Sequence, residues 1–323
     1  MKRFILNITV FMLITFLAIF TSLFWIHKEG IEDNMLAAIV DKHKLLSETK
    51  SPKIILVGGS NLSFGLESAK IEDAFHLPVI NSAIHAGIGL KFYFSDIKQY
   101  IRQGDIVVIV PEYSQYYSDS FYGSLELVSI LFDVYPEGRK LIDKKQWYHL
   151  AKLIPTYAAT KLSYQSTTKF NTRKVGVYDR KSFNSRGDAY IHWSLPRQQV
   201  AVAKKNSPDD KARDESILFL KECLKFIAAR NATMIVLPPV YQGSSYENQE
   251  KLINQIFAKV QASDLPLAAE PIRYKFPDSL FYNTNYHLTK AGVDLRTSLL
   301  IEDIAPYING KVGTTIAIPY SMK

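Results

Sequence analysis

The stretch Lys53-Ile54-Ile55-Leu56-Val57-Gly58-Gly59-Ser60-Asn61 decides how this chain is read. Four apolar residues, three of them β-branched, run without a polar break and stop at a glycine pair. A strand of that kind has no face to offer water, so it belongs in the middle of a parallel sheet. The glycines permit a tight turn out of the strand. The serine that follows then stands at the sheet's carboxyl edge, where open α/β sheets bind their ligands.

Further strands are expected at Leu77–Asn81, at Asp105–Val110 (stopped by Pro111) and at Thr233–Leu237 (stopped by Pro238-Pro239). Helical patterns fall between and after them, at 68–75, 90–102, 215–230, 245–262 and 289–304. Strands alternating with helices predict an α/β fold whose parallel sheet is covered on both faces. Among 323 residues the hydrophobic share is 47% and the charged share 22%, which excludes bulk disorder. Cys223 is the single cysteine, so no disulfide can form within the chain and no cysteine-based zinc site exists. The seven histidines are scattered, and neither a Walker loop nor a Gly-x-Gly-x-x-Gly motif is present, so no metal and no cofactor is expected.

Phe4 to Ile26 is a run of 23 residues without a charge, long enough to span a bilayer as a helix. Lys2 and Arg3 precede it, which favours a cytoplasmic N-terminus and export of the rest of the chain. A cleaved signal peptide is the rival reading, but its apolar stretch is usually shorter and ends in a small-x-small site. The expectation is a single-pass protein of the inner or cytoplasmic membrane. Residues 1–27 would be the anchor, 28–52 a stalk or linker, and 53–310 the periplasmic or extracellular domain. Residues 311–323 would be a C-terminal tail.

The formal net charge is +8, and Arg139–Arg213 alone holds 17 Lys/Arg against 5 Asp/Glu. A basic insertion is therefore expected at about 113–213, lying against an anionic glycan or lipid surface. The rival is a solvated basic face. No nucleic-acid motif is present, and nucleic acid is not an expected partner.

Four segments fall at carboxyl ends of strands: Gly58-Gly59-Ser60-Asn61, the run Asn81 to Gly89, Pro111-Glu112-Tyr113, and Phe281 to Gly292 just before the last helix. Ser60 and His287 form the pair of interest. A serine hydroxyl needs a base to take its proton, and a neutral imidazole held by a third group does that near neutral pH. A glycine such as Gly87 can offer a bare N–H to an oxyanion.

These blocks resemble the SGNH/GDSL hydrolase superfamily, in a membrane-anchored, exported branch. Gly58-Gly59-Ser60-Asn61 matches the family's Gly-x-Ser block, Asn81…Gly87 its oxyanion-glycine block, and His287-Leu288…Gly292 its His-Leu-x-x-x-Gly block. The resemblance covers roughly 50–111 and 231–305, not the basic segment. It implies a three-layer α/β/α, flavodoxin-like fold with Ser60 as nucleophile and His287 as base. The N–H groups of Ser60 and Gly87 would be oxyanion donors.

The chain departs from the family at two places. The third block lacks its Asn and reads Val110-Pro111-Glu112, so either Asn61 substitutes as the donor or the oxyanion hole has backbone donors alone. Asn283 stands where related sequences carry Asp, with Asp278 and Glu112 as the other acids that could support the ring. The expected function is a serine-dependent O-acyl esterase or O-acyltransferase acting on a cell-envelope or exported polysaccharide, and the resemblance implies a membrane O-acyltransferase as partner. The alternative is a non-catalytic binding or assembly subunit of an envelope polysaccharide machine. A lipid esterase, docked by the basic face, is a third reading.

Overall fold

The computed structural model describes residues 1–26, 30–163 and 175–310. Its centre is a four-stranded parallel sheet in the order β2-β1-β3-β4, with β1 at Ile54–Gly58, β2 at Val79–Asn81, β3 at Ile106–Val110 and β4 at Thr233–Val236. Ile54 pairs with Val79 on one side and with Ile106 on the other. The expected strands are therefore found within two residues of their predicted limits. A two-stranded parallel pair, β5 (Tyr241–Gln242) and β6 (Lys275–Phe276), stands apart from this sheet.

Alternate residues of each strand enter two separate cores. Ile55, Val57, Val107, Ile109 and Val236 pack on one face. Ile54, Leu56, Val108, Val110 and Ile235 pack on the other. Both faces are thus dry, which is what an uninterrupted apolar strand requires.

The helices are α1 (Lys2–Phe24), α2 (Ala38–Glu48), α3 (Ser68–Phe75), α4 (Leu90–Ile97), α5 (Lys144–Ala151), α6 (Ile154–Ser163), α7 (Asp214–Ala228), α8 (Gly243–Gln261) and α9 (Lys290–Asn309), with short helical turns between them. α7 brings Ile217, Leu220, Cys223 and Ile227 to the first core. α3 and α9 bring Ile71, Val293, Leu300 and Ile304 to the second. α1 is long and apolar enough to cross a membrane, and most of its side chains are exposed.

Two domain expectations need correction. The described residues of the expected stalk at 28–52 are not a stalk: Met35, Leu36, Ala38, Ile39 and Leu46 are buried in the first core. Lys42, also buried, donates to the carbonyls of Asn81 and Gly187 at 2.7 Å each. The charges of this segment mask a helical stripe that faces inward.

Nor are the described residues of 113–213 a separate insertion. Tyr113, Tyr116, Phe121, Leu127, Leu131, Leu150 and Tyr157 share the core of the sheet's first face. Five of the basic residues in 139–213 pair with acids outside that window. Lys145 meets Glu215, Lys161 meets Asp133, Arg180 meets Asp41, Arg186 meets Glu72 and Arg213 meets Asp119, all at 2.6–2.9 Å. Part of the local excess is therefore structural pairing. The expected tail at 311–323 lies outside the described residues.

Candidate active site

Ser60 opens a one-turn helix, Ser60–Ser63, directly after β1 and Gly59. The chain can turn here only because Gly59 is bare: a Cβ would stand 2.6 Å from Glu112 Oε1 and 2.9 Å from Ala86 Cα. Glu112 follows β3 at the same sheet edge, as strand pairing of Gly58 with Val110 requires. Three donors converge on its Oε1: the Ser60 hydroxyl at 3.3 Å, the Asn61 N–H at 3.1 Å and Asn61 Nδ2 at 3.4 Å. Burial pushes the Glu112 carboxyl above its usual range, while these donors pull the other way.

Asn61 is fully buried and doubly held. Arg296, buried on α9, donates from Nη2 to Asn61 Oδ1 at 2.8 Å and from Nη1 to the Asn61 carbonyl. The guanidinium fixes the amide so that its nitrogen faces Glu112 Oε1 and the Val110 carbonyl, 3.3 Å away. Gly65 leaves room for it, since a Cβ there would collide with Arg296.

His287 lies in the segment before α9. Its Nδ1 is 2.9 Å from Asn283 Oδ1, and its backbone N–H donates to Thr284 Oγ1 at 3.1 Å. With the amide oxygen accepting, Nδ1 carries the proton and Nε2 keeps its lone pair. The ring is stacked on Phe64 at 4.2 Å between centroids and 11° between planes. Phe64 donates its N–H to the Ser60 carbonyl at 2.9 Å, and its own carbonyl accepts from Leu288 N–H at 3.3 Å. Ser60 and His287, 227 positions apart, are thus both tied to Phe64. Among the described residues no hydrogen bond joins Ser60 to His287; the hydroxyl is directed to Glu112.

Burial drives the His287 pKa down to about 3, with His192 and His85 adding to the effect. His192 is likewise lowered by burial to about 4, and neither of its ring nitrogens makes a well-formed hydrogen bond. Both rings are neutral in the folded protein at neutral pH. The unfolded chain binds more protons than the folded one as pH falls through about 6.5, so stability drops from there down to the folded values. His192→Phe should remove one of these terms. We expect the variant to be at least as stable as wild type at pH 8, and to gain roughly 2–3 kcal/mol on it by pH 4 in urea melts. A pH-independent difference would refute this.

Three expected site residues are engaged elsewhere. The Gly87 N–H donates to His85 Nδ1 at 3.0 Å, so in this conformation it is not open to an oxyanion. Asp278 does not reach His287. Its carboxylate accepts from Ser244 N–H at 3.0 Å, from the Ser244 hydroxyl at 2.5 Å and from Gln242 Nε2 at 3.2 Å, securing the start of α8. Glu112 supports the serine side of the site rather than the ring.

Sequence reasoning missed Tyr178, which accepts from Asn283 Nδ2 at 2.7 Å and so fixes which end of the amide meets the imidazole. Nothing in its neighbourhood distinguishes it. Arg296 was more readable, as a lone charge on the face of α9 that carries Val293, Leu300 and Ile304. No protein-family model matches this chain, and a search of curated proteins finds no match either.

Proposed function

We propose that the chain is a serine-dependent O-acyl esterase or O-acyltransferase of the SGNH/GDSL type. It would be a three-layer α/β/α domain held by a single-pass anchor outside the cytoplasm, acting on a cell-envelope or exported polysaccharide, with a membrane O-acyltransferase as partner. The observation that carries this reading is the Asn283–His287 pair, stacked on the phenylalanine that closes the first turn after Ser60.

In this reading the Ser60 hydroxyl turns from Glu112 toward the ring and attacks the acyl carbonyl. His287 Nε2 takes the hydroxyl proton, and Asn283 Oδ1 keeps the other proton on Nδ1. The tetrahedral intermediate collapses, the ester C–O bond breaks, and His287 returns its proton to the leaving alkoxide. Water or a sugar hydroxyl then gives its own proton to His287 and attacks the acyl-serine; the acyl C–Oγ bond breaks, and His287 passes that proton to Ser60 Oγ. The Asn61 N–H and Nδ2 already face a carboxyl oxygen, that of Glu112, and can serve a developing oxyanion.

Glu112 occupies the place of the family's third-block Asn. A carboxylic acid kept neutral by burial can donate to an oxyanion. Glu112→Gln, which keeps a donor, should therefore retain activity to within about tenfold, while Glu112→Ala loses about 100-fold or more. Equal losses in steady-state ester turnover would remove Glu112 from this role.

The test of the whole reading is covalent labelling by a fluorophosphonate. Wild-type labelling mapped to Ser60 and absent in Ser60→Ala supports the enzyme. The second reading, a non-catalytic assembly subunit, is favoured by the Ser60 hydroxyl lying on Glu112 rather than His287. Unlabelled folded wild-type protein, with normal function of Ser60→Ala in cells, would establish it.

A further inference from the structure

Resting on the single-pass anchor of that reading, and not on its chemistry, we propose that the domain does not hang from α1 but is set down on the bilayer. A basic face around α5 would then lie against anionic lipid headgroups.

The length of α1 brings the two together. Its side chains are exposed from Lys2 to Ala18 and again at Phe20, while Ser22 and Leu23 are buried in the domain. The charge-free run left outside is Phe4 to Phe20, 17 residues. At about 1.5 Å a residue that helix is roughly 25 Å long, short of a hydrocarbon core of roughly 30 Å. The bilayer surface therefore lies where the domain begins. Trp25, 71% exposed directly after α1, suits that level, where indole rings gather.

The junction fixes the domain on the helix. The Ser22 hydroxyl donates to the Ala158 carbonyl on α6 at 2.9 Å. Lys161, also on α6, donates to the Leu23 carbonyl at 3.2 Å and pairs with Asp133 at 2.6 Å, both side chains being almost fully buried. The Phe24 ring meets Phe132 edge to face, 5.6 Å between centroids, and the Arg139 guanidinium lies over both rings. Tilting the domain away would strand these buried polar groups, which opposes a loose tether.

The basic face begins and ends at this junction. Arg139 and Lys140 lie on the turn Pro136–Leu141, Lys144 and Tyr148 on α5, and Lys152 two residues before α6. Lys144, Tyr148 and Lys152 are spaced four apart, so they share one helix face. Both lysines are exposed, Tyr148 is 65% exposed, and Lys152 Nζ stands 4.3 Å over its ring. Among the described residues, none of Arg139, Lys140, Lys144 and Lys152 has a carboxylate partner, unlike Lys145 and Lys161. Against these four cations stands Glu137; the other acid of the stretch, Asp143, is taken by Lys91 at 2.5 Å. An anionic surface holds cations only within a Debye length, about 10 Å at 0.1 M salt, so nearness to α1 decides which are held. An acidic glycan has the same charge, but it would have to enter between this face and the bilayer that α1 draws up to it.

The test places the wild-type full chain in phosphatidylcholine vesicles with and without phosphatidylglycerol. A membrane-impermeant amine-acetylating reagent is read out lysine by lysine by mass spectrometry. Lys140, Lys144 and Lys152 should be labelled at least fivefold more slowly in the anionic vesicles at low salt, and roughly 0.5 M salt should restore most of the rate. Lys225 on α7 and Lys251 on α8, both exposed, are the references and should not change. Equal rates in the two vesicles, references slowed as much as the three lysines, or protection indifferent to salt each overturn the proposal. So does protection of the three lysines by a soluble polyuronate where phosphatidylglycerol gives none, which assigns the face to a glycan. Extraction with alkaline carbonate separates the two ideas. A chain that stays in the membrane without lysine protection sinks the headgroup face alone, whereas a chain that washes off sinks the anchor and this proposal with it.

Discussion

His287→Ala lowers the rate of fluorophosphonate labelling at Ser60 by about 1,000-fold or more, and Asn283→Asp raises it above wild type. Both expectations come from the state of the imidazole. The ring is buried, its pKa is pushed down to about 3, and its Nδ1 is held by a neutral amide. It can accept the serine proton, but the imidazolium that forms has only the amide dipole beside it. Removing the ring leaves the hydroxyl with no base, a loss of the size seen when triad members are deleted. Replacing the amide by a carboxylate supplies the missing charge at the same 2.9 Å contact and raises the ring's pKa. Tyr178 can then donate its O–H to the new carboxylate instead of accepting from the amide, so that contact survives. We expect a gain of about tenfold or more, well below the roughly 10⁴ that separates Asp from Asn in trypsin-like proteases, because the burial that depresses the ring remains. Two outcomes count against His287 as base: a His287→Ala variant that labels at the wild-type rate, or an Asn283→Asp variant that labels more slowly while folding normally.

Where the sequence could be read and where it could not depends on how far each signal reaches. β1, β3 and β4 declared themselves because a strand dry on both faces leaves an apolar run with a glycine or proline at its end. α3, α7 and α9 were legible from their inward stripe. The segment 31–48 was not, because its buried Lys42 makes the stripe look polar; the lysine is satisfied by two carbonyls far away in sequence, at Asn81 and Gly187. The basic excess of 139–213 misled for the same reason. The acids that neutralise Arg180 and Arg186 are Asp41 and Glu72, more than 100 positions earlier. In the site, Asn283 four residues before His287 was readable as a local pair. The convergence of Ser60 and Asn61 on Glu112 was not, because it depends on the register of β1 against β3. Asp278 was misjudged because proximity in sequence to His287 says nothing of which helix start it serves.

Asp188→Ala should cost about 3–5 kcal/mol of stability, the largest loss expected of any single substitution outside the sheet. The turn Asn184–Asp188 invites a different reading, in which Asp188 and Arg186 hold substrate. The contacts argue against it. Asp188 is wholly buried and accepts from Ser68 N–H at 2.8 Å, the Ser68 hydroxyl at 2.6 Å, Asn81 Nδ2 at 2.8 Å and Asn184 Nδ2 at 3.2 Å. It thereby ties the start of α3, the end of β2 and its own turn to one carboxylate. Arg186 is engaged with Glu72. Lys42, whose pKa burial lowers to about 7, has Asp188 as the main charge that offsets that burial. Truncation to alanine removes the acceptor of three donors, leaves Asn81 Nδ2 with the Leu62 carbonyl alone and leaves a buried ammonium without its counter-charge, and each stranded group carries its own desolvation cost. Urea denaturation should show a lower midpoint with an unchanged slope, since the surface exposed on unfolding is the same. Lys42→Met added to Asp188→Ala should recover part of the loss, because the two charges are coupled and the double variant buries neither. If Asp188→Ala instead leaves the midpoint in place and lowers ester turnover, the carboxylate belongs to substrate binding and its four hydrogen bonds are incidental to the fold.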